Sequence, residues 1–169
     1  MKKHKTILLL LFLVSVNSFV FGSSVVVQMS QYSAESLNET TLLIEDGVLG
    51  TLFDSGYIVT NLPPRINKSY ESLREEMILD TKEIYMNTVI YIGVQYYDFG
   101  LTKDDIVTVS DIKSVQLKII DVRTKNELYS GLIKGEQKGQ YETDIVAVKH
   151  FATSIGLEIK KQLEKTRLL

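Results

Sequence analysis

From Thr88 to Gln95 the chain reads Thr-Val-Ile-Tyr-Ile-Gly-Val-Gln. Apolar residues occupy both alternating sets of positions, so a strand here has no face to give to water. It belongs in the middle of a sheet, and the remaining chain must supply its neighbours and its cover. Val25-Val26-Val27, within the strand expected over Ser24–Met29, makes the same demand in shorter form.

The cover is written at helical spacing. Leu37, Thr41, Ile44, Val48 and Leu52, widened by Leu49 and Phe53, predict a helix over residues 34–55. Ser33 or Ser36 would cap it, and Gly56 would end it in the left-handed C′ conformation. Tyr57–Thr60 is a short strand, and Pro63-Pro64 should stop it. Tyr70, Leu73, Met77, Thr81 and Ile84 predict a second helix over 67–86, capped by Asn67 or Ser69. Asp111–Asp121 alternates Val115, Leu117 and Ile119 with Ser114, Gln116 and Lys118, a strand with one wet face. Arg123–Asn126 is a tight turn, and Glu127–Lys134 returns as the partner of a hairpin. Val148, Phe151, Ile155, Ile159 and Leu163 mark a third helix over 143–165, with cations toward its C-terminus. Residues 30–33 and 135–140 read as polar loops, and 96–109 has no clear period.

The order is β-α-β-α-β-β-β-α. This is an α/β (α+β) chain with a single mixed sheet, crossover helices packed on it, a C-terminal antiparallel hairpin and a last helix. One domain over residues 23–169, with one core, is the expectation.

Residues 1–22 are of another kind. Lys2, Lys3 and Lys5 precede the apolar run Ile7–Val16, and the small residues Ser18, Gly22, Ser23 and Ser24 follow. Basic, apolar, then small is the order of a secretory signal peptide, and cleavage after Gly22 would release the domain to the periplasm. The rival reading is a retained anchor, although a spanning helix wants roughly 20 apolar residues and this stretch reaches Phe21 only through Ser15, Asn17 and Ser18.

Charge and composition then exclude whole classes of chemistry. The chain has 19 basic and 21 acidic residues; removing the three leader lysines leaves 16 against 21, a net charge near -5. Non-specific nucleic-acid binding needs the opposite balance. With no cysteine there is no disulfide, thiolate metal site, cysteine nucleophile or acylated N-terminus. His150 is the sole histidine beyond the leader, too few for a usual zinc set, and reads as a plain helix position. Glu75-Glu76 and Asp104-Asp105 are sequence neighbours, which point apart, whereas paired acid catalysis needs two carboxyls facing each other. Ser33, Ser36 and Ser55 lack a nucleophile-elbow setting, and no phosphate-binding glycine motif occurs. No catalytic residue, metal ligand or cofactor is therefore expected. Asn38-Glu39-Thr40 and Asn67-Lys68-Ser69 fit the glycosylation sequon but lie where helices are expected, and read as chance matches. The cluster Tyr96, Tyr97 and Phe99 at a strand exit is the candidate contact surface, because aromatic anchors dominate interfaces; the plainer reading packs one or two of them under the loop.

Several segments resemble a group of bacterial envelope domains of the CsgG, LpoB and TolB-N-terminal type. Asp54–Val59 resembles their helix-to-strand step, Ser69-Tyr70 with Leu73-Arg74 the start of their second helix, and Tyr91-Ile92-Gly93 their central strand. Asp121–Gly131 is similar to their hairpin, an Asp-x-Arg-Thr-Gly-Glu pattern leading to an aromatic, Ser and Gly. The resemblance implies a periplasmic domain that binds other envelope proteins of an appendage, flagellum or wall-building machine. It departs from the group in lacking an acylated cysteine and the extra hairpins of a secretion pore. The expected function is thus a non-enzymatic accessory protein that contacts an envelope protein or itself, and touches membrane only through the leader. The alternatives are a periplasmic small-ligand or lipid carrier, and a hydrolase using Asp or Glu.

Overall fold

A computed structural model describes residues 23–33, 36–97, 109–135 and 144–167. The elements are β1 Ser24–Tyr32, α1 Glu39–Asp54, β2 Ile58–Ile66, α2 Tyr70–Glu83, β3 Thr88–Tyr96, a 3-10 turn Val109–Asp111, β4 Ile112–Asp121, β5 Glu127–Lys134 and α3 Asp144–Arg167. They form a five-stranded mixed sheet in the order β2-β1-β3-β4-β5. β1 runs parallel to β2 and β3, while β4 and β5 continue antiparallel. β3 is central, as its doubly apolar run requires.

The apolar residues divide between two faces rather than making the single core expected. On one face Val25, Val27, Met29, Ile90, Ile92, Val94, Leu117 and Ile119 meet Ile44, Val48 and Leu52 of α1 and Phe151, Ile155 and Ile159 of α3. On the other, Val26, Val89, Tyr91, Ile120 and Val122 meet Tyr70, Leu73, Met77 and Ile78 of α2. The sheet is apolar on both sides at its centre, so it separates two clusters. α1 and α3 pack closely and run the same way: a Cβ on Gly47 would stand 2.6 Å from that of Ala152, and one on Gly156 2.7 Å from that of Thr51.

Three of the boundaries that move do so for a polar reason. β1 continues through residues 30–32, where a loop was expected, because Ser30 and Gln31 are buried with partners: Ser30 Oγ donates to the Lys68 carbonyl (2.6 Å) and Gln31 Nε2 to that of Ser36 (2.8 Å). α1 starts later, at Glu39, because the cap is Asn38, whose Oδ1 accepts from the Thr41 N–H at 2.9 Å. β2 runs on through Pro63-Pro64 to Ile66. It is an edge strand, and the prolines sit in a register break, where Leu62 pairs with Gln28 and Arg65 with Ser30. A bulge needs no ladder N–H from them, and Gln28 Nε2 donates to the Pro63 carbonyl at 2.9 Å. Gly56 does end α1 with φ 86°, and Ser69 caps α2. No helix among the described residues is long and apolar enough to cross a membrane.

Candidate functional site

Two helices cover one face of the sheet, and one helix covers the other. α2 packs over the starts of β1 and β3, and among the described residues no helix covers the other end of that face. Tyr32, Gly93, Gln95, Ser114, Gln116 and Leu132 line a shallow depression of about 300 Å³ there. The wet side of β4 read from the sequence is this floor. Gly93 has a steric role: a Cβ would lie 2.9 Å from Tyr91 Oη and 3.1 Å from the Tyr32 ring, and its absence lets both phenols cross the strand. Their hydroxyls meet at 2.5 Å, and Tyr91 Oη also donates to the Lys68 carbonyl at 3.3 Å. Burial pushes the Tyr91 phenol well above its ordinary value, helped by the hydrogen bond to Tyr32, so it stays protonated.

The floor runs out to β5, which ends the sheet. Among the described residues no strand pairs its outer side. Leu132, 68% exposed, stands on this strand facing the floor. An open edge is a pairing surface unless proline, a bulge or inward charge blocks it. The opposite edge, β2, has both prolines and the register break. β5 has neither proline nor charge between Glu127 and Lys134, and its register shift is confined to its first residues.

The hairpin that carries β5 is held firmly. Asp121 Oδ1 accepts from the N–H groups of Arg123 (2.8 Å) and Thr124 (3.0 Å), an Asx turn that explains the aspartate at the head of the motif. Lys125 takes φ 59° at the turn. The turn is tied to α2: the Arg74 guanidinium donates to the Lys125 carbonyl at 2.6 Å, and Lys125 Nζ pairs with Glu75 at 2.8 Å. Lys118 Nζ bridges Glu127 at 3.0 Å and lies 5.1 Å from the Tyr70 ring centroid. The hairpin motif is thus scaffolding that sets the angle of the β5 edge.

The aromatic cluster divides. Tyr96 is a core residue, not a surface anchor: the β3 alternation turns it toward α1, where it is 1% exposed. Thr41 Oγ1 gives its proton to Gln31 Oε1 (2.7 Å), so Tyr96 Oη is the donor to Thr41 (2.8 Å) and shares Asn38 Oδ1 at 3.3 Å. Tyr97 is exposed. Phe99 lies outside the described residues, as do Asp104 and Asp105. His150 is exposed on α3. Glu75 and Glu76 serve separate ion pairs, with Lys125 and with Arg65. No group of three or more metal-binding side chains occurs among the described residues. Leu132 escaped notice in the sequence because a strand alternating with polar residues does not reveal which face a helix will leave bare.

A family model described as "Uncharacterised protein" matches residues 23–164. The chain belongs to that family. No curated protein matches the sequence. Among solved structures, the fold is similar to a PelC dodecamer from Paraburkholderia phytofirmans, with 17% identity, a TM-score of 0.48, and coverage of 84% of this chain and 87% of that one. It is similar to TolB from Acinetobacter baumannii, with 11% identity and a TM-score of 0.48 over 85% of this chain but only 29% of TolB. It is similar to the LpoB C-terminal domain from Escherichia coli, with 17% identity and a TM-score of 0.41 over 69% and 84% of the two chains. LpoB and TolB, named in the sequence resemblance, are among these structures, and the likeness is one of fold.

Proposed function

We propose that this chain is an exported, non-enzymatic accessory protein of the bacterial cell envelope, acting through protein–protein contacts along β5 and the bare floor beside it. The basic-apolar-small leader supports export to the periplasm. The observation that carries the contact surface is the asymmetry of the two sheet edges. β2 is broken by prolines, while β5 is open, braced from behind by the hairpin and α2, and bears the exposed Leu132 next to hydrogen-bonding side chains. A partner strand laid along β5 gains main-chain hydrogen bonds, with Leu132 and the polar floor supplying selectivity. The helix stripes are spent against the sheet in two closed clusters, which favours outer surfaces over an internal ligand chamber.

The test is photo-crosslinking from positions 132 and 116 in the producing cell, followed by recovery of the adducts. A defined envelope protein captured at both positions, and lost in Leu132→Lys without a change in thermal unfolding, is the expected result. Capture of no protein at either position refutes the proposal.

A further inference from the structure

At the far end of the strands from the bare floor, the end of α2, the start of β3 and the β4–β5 turn surround a second groove, of about 360 Å³. Its apolar lining is Ile78, Met86 and Val122, and Lys82, Arg123 and Lys125 stand around it. No acidic residue lines it. Lys125 is paired with Glu75, but Lys82 and Arg123 have no side-chain partner among the described residues. In a domain with 16 basic and 21 acidic residues, unmatched cations converging on one groove are not a consequence of composition. Cations over an apolar floor select an anion that is attached to an apolar body.

Two further observations name that body. Tyr85, beside the groove, is 92% exposed and adopts φ 59°, and Ile84 next to it is also exposed. An aromatic and an aliphatic side chain held in solvent next to cations is the composition of a bilayer interface, where ring and stem enter the headgroup layer and the charge meets phosphate. The chain also comes into the domain here: Val25 pairs with Thr88, the neighbour of the groove residue Asn87, and the Ser23 carbonyl accepts from the Ile58 N–H at 3.3 Å. Ile58 and Phe53, from the α1–β2 connection at this same end of the sheet, are exposed too.

We propose that this end of the domain rests on an anionic membrane surface and that the groove takes the phosphate of a phospholipid headgroup. Lys82 and Arg123 pair with its oxygens, and Tyr85 and Ile84 enter the interfacial layer. A free phosphate would use the cations and leave the exposed apolar pair unexplained. The surface lies opposite the β5 floor, so membrane and protein contacts are compatible, and failure of either proposal leaves the other intact.

The exported protein and a Lys82→Gln/Arg123→Gln variant are purified from the same compartment and carry the same N-terminus. Both are floated with vesicles of phosphatidylcholine, alone or with a third phosphatidylglycerol. Partition onto the anionic vesicles should fall about 30-fold in the variant, about 2 kcal/mol at 1.4 kcal/mol per factor of ten. Partition onto the neutral vesicles and thermal unfolding should be unchanged. Tyr85→Ser should weaken partition onto the anionic vesicles as well. Lys113→Gln/Lys134→Gln, the same charge change at the opposite end, should leave partition within about two-fold. Equal partition of Lys82→Gln/Arg123→Gln and the parent chain overturns the proposal. So does an equal loss in the control, which would make net charge the cause. So does displacement of the parent chain by inorganic phosphate at millimolar concentration, which would make the groove a free-anion site.

Discussion

Gly47 lies inside α1, where helix propensity and tertiary packing make opposite predictions for alanine. Propensity favours Gly47→Ala by about 1 kcal/mol, because glycine loses more backbone freedom on folding. The structure opposes it. The new methyl would stand 2.6 Å from Ala152 Cβ, with the Ala152 Cα at 3.8 Å and no flexible side-chain end to yield. Ordinary contact requires α1 and α3 to separate by about 1 Å, and overpacking of this kind costs about 1–3 kcal/mol. The net expectation is a destabilisation of about 1 kcal/mol. Gly50→Ala is the internal control: it sits in the same helix and nothing lies within 4 Å of its Cβ, so the propensity gain of about 0.5–1 kcal/mol should survive. The two variants should differ by about 2 kcal/mol in urea unfolding at constant slope, or about 6 °C in Tm for a chain of this size. Ala152→Gly should rescue Gly47→Ala in a double-mutant cycle. A Gly47→Ala protein as stable as Gly50→Ala would refute the close parallel packing of α1 on α3.

Three further substitutions probe other parts of the argument. Tyr96→Phe removes the donor to Thr41 and Asn38 in a buried network and should cost about 1–2 kcal/mol in chemical unfolding, an effect that a solvent-facing tyrosine would not show. Asp121→Ala loses two bonds to the turn backbone and should cost about 1 kcal/mol, with faster amide exchange at residues 123 and 124 as its local signature. Burial raises the Glu45 carboxyl above its ordinary 4.5; the Asn61 hydrogen bond offsets part of the rise and the nearby Asp46 adds to it. The folded state therefore holds this proton more tightly than the unfolded chain, so Glu45 disfavours folding increasingly as pH rises past 4.5. Glu45→Gln should stabilise the protein at neutral pH, and the gain should shrink as pH falls through 4.5; a gain independent of pH would contradict this assignment.

Most elements were legible because their periodicity was strong. The doubly apolar stretch over Thr88–Gln95 placed β3 at the centre, and the alternation over Asp111–Asp121 described a strand wet on one side. The errors gathered where a polar side chain found a distant partner. Ser30 and Gln31 look like loop residues until Lys68 and Ser36 supply acceptors for them. Pro63-Pro64 looks like a stop until the strand proves to be an edge with a bulge. Tyr96 looks like an interface residue until its hydroxyl is placed on Thr41. The partners of Ser30, Pro63 and Tyr96 are remote in the chain, and that of Gln31 lies outside its own strand.

By itself, the order of residues determined the succession of strands and helices, the acidic balance of the chain, its lack of thiol chemistry and the basic-then-apolar pattern of residues 1–22, since local propensity, spacing and composition carry those properties. Tertiary structure alone decided that the apolar stripes close on two faces, that among the described residues α2 covers only one end of its face, that β5 is the unguarded edge, and that Lys82, Arg123 and Lys125 converge where the chain begins its first strand. Those are properties of strand order and helix placement. Both are set by the global competition to bury apolar surface at the least polar cost, which no window of the sequence contains.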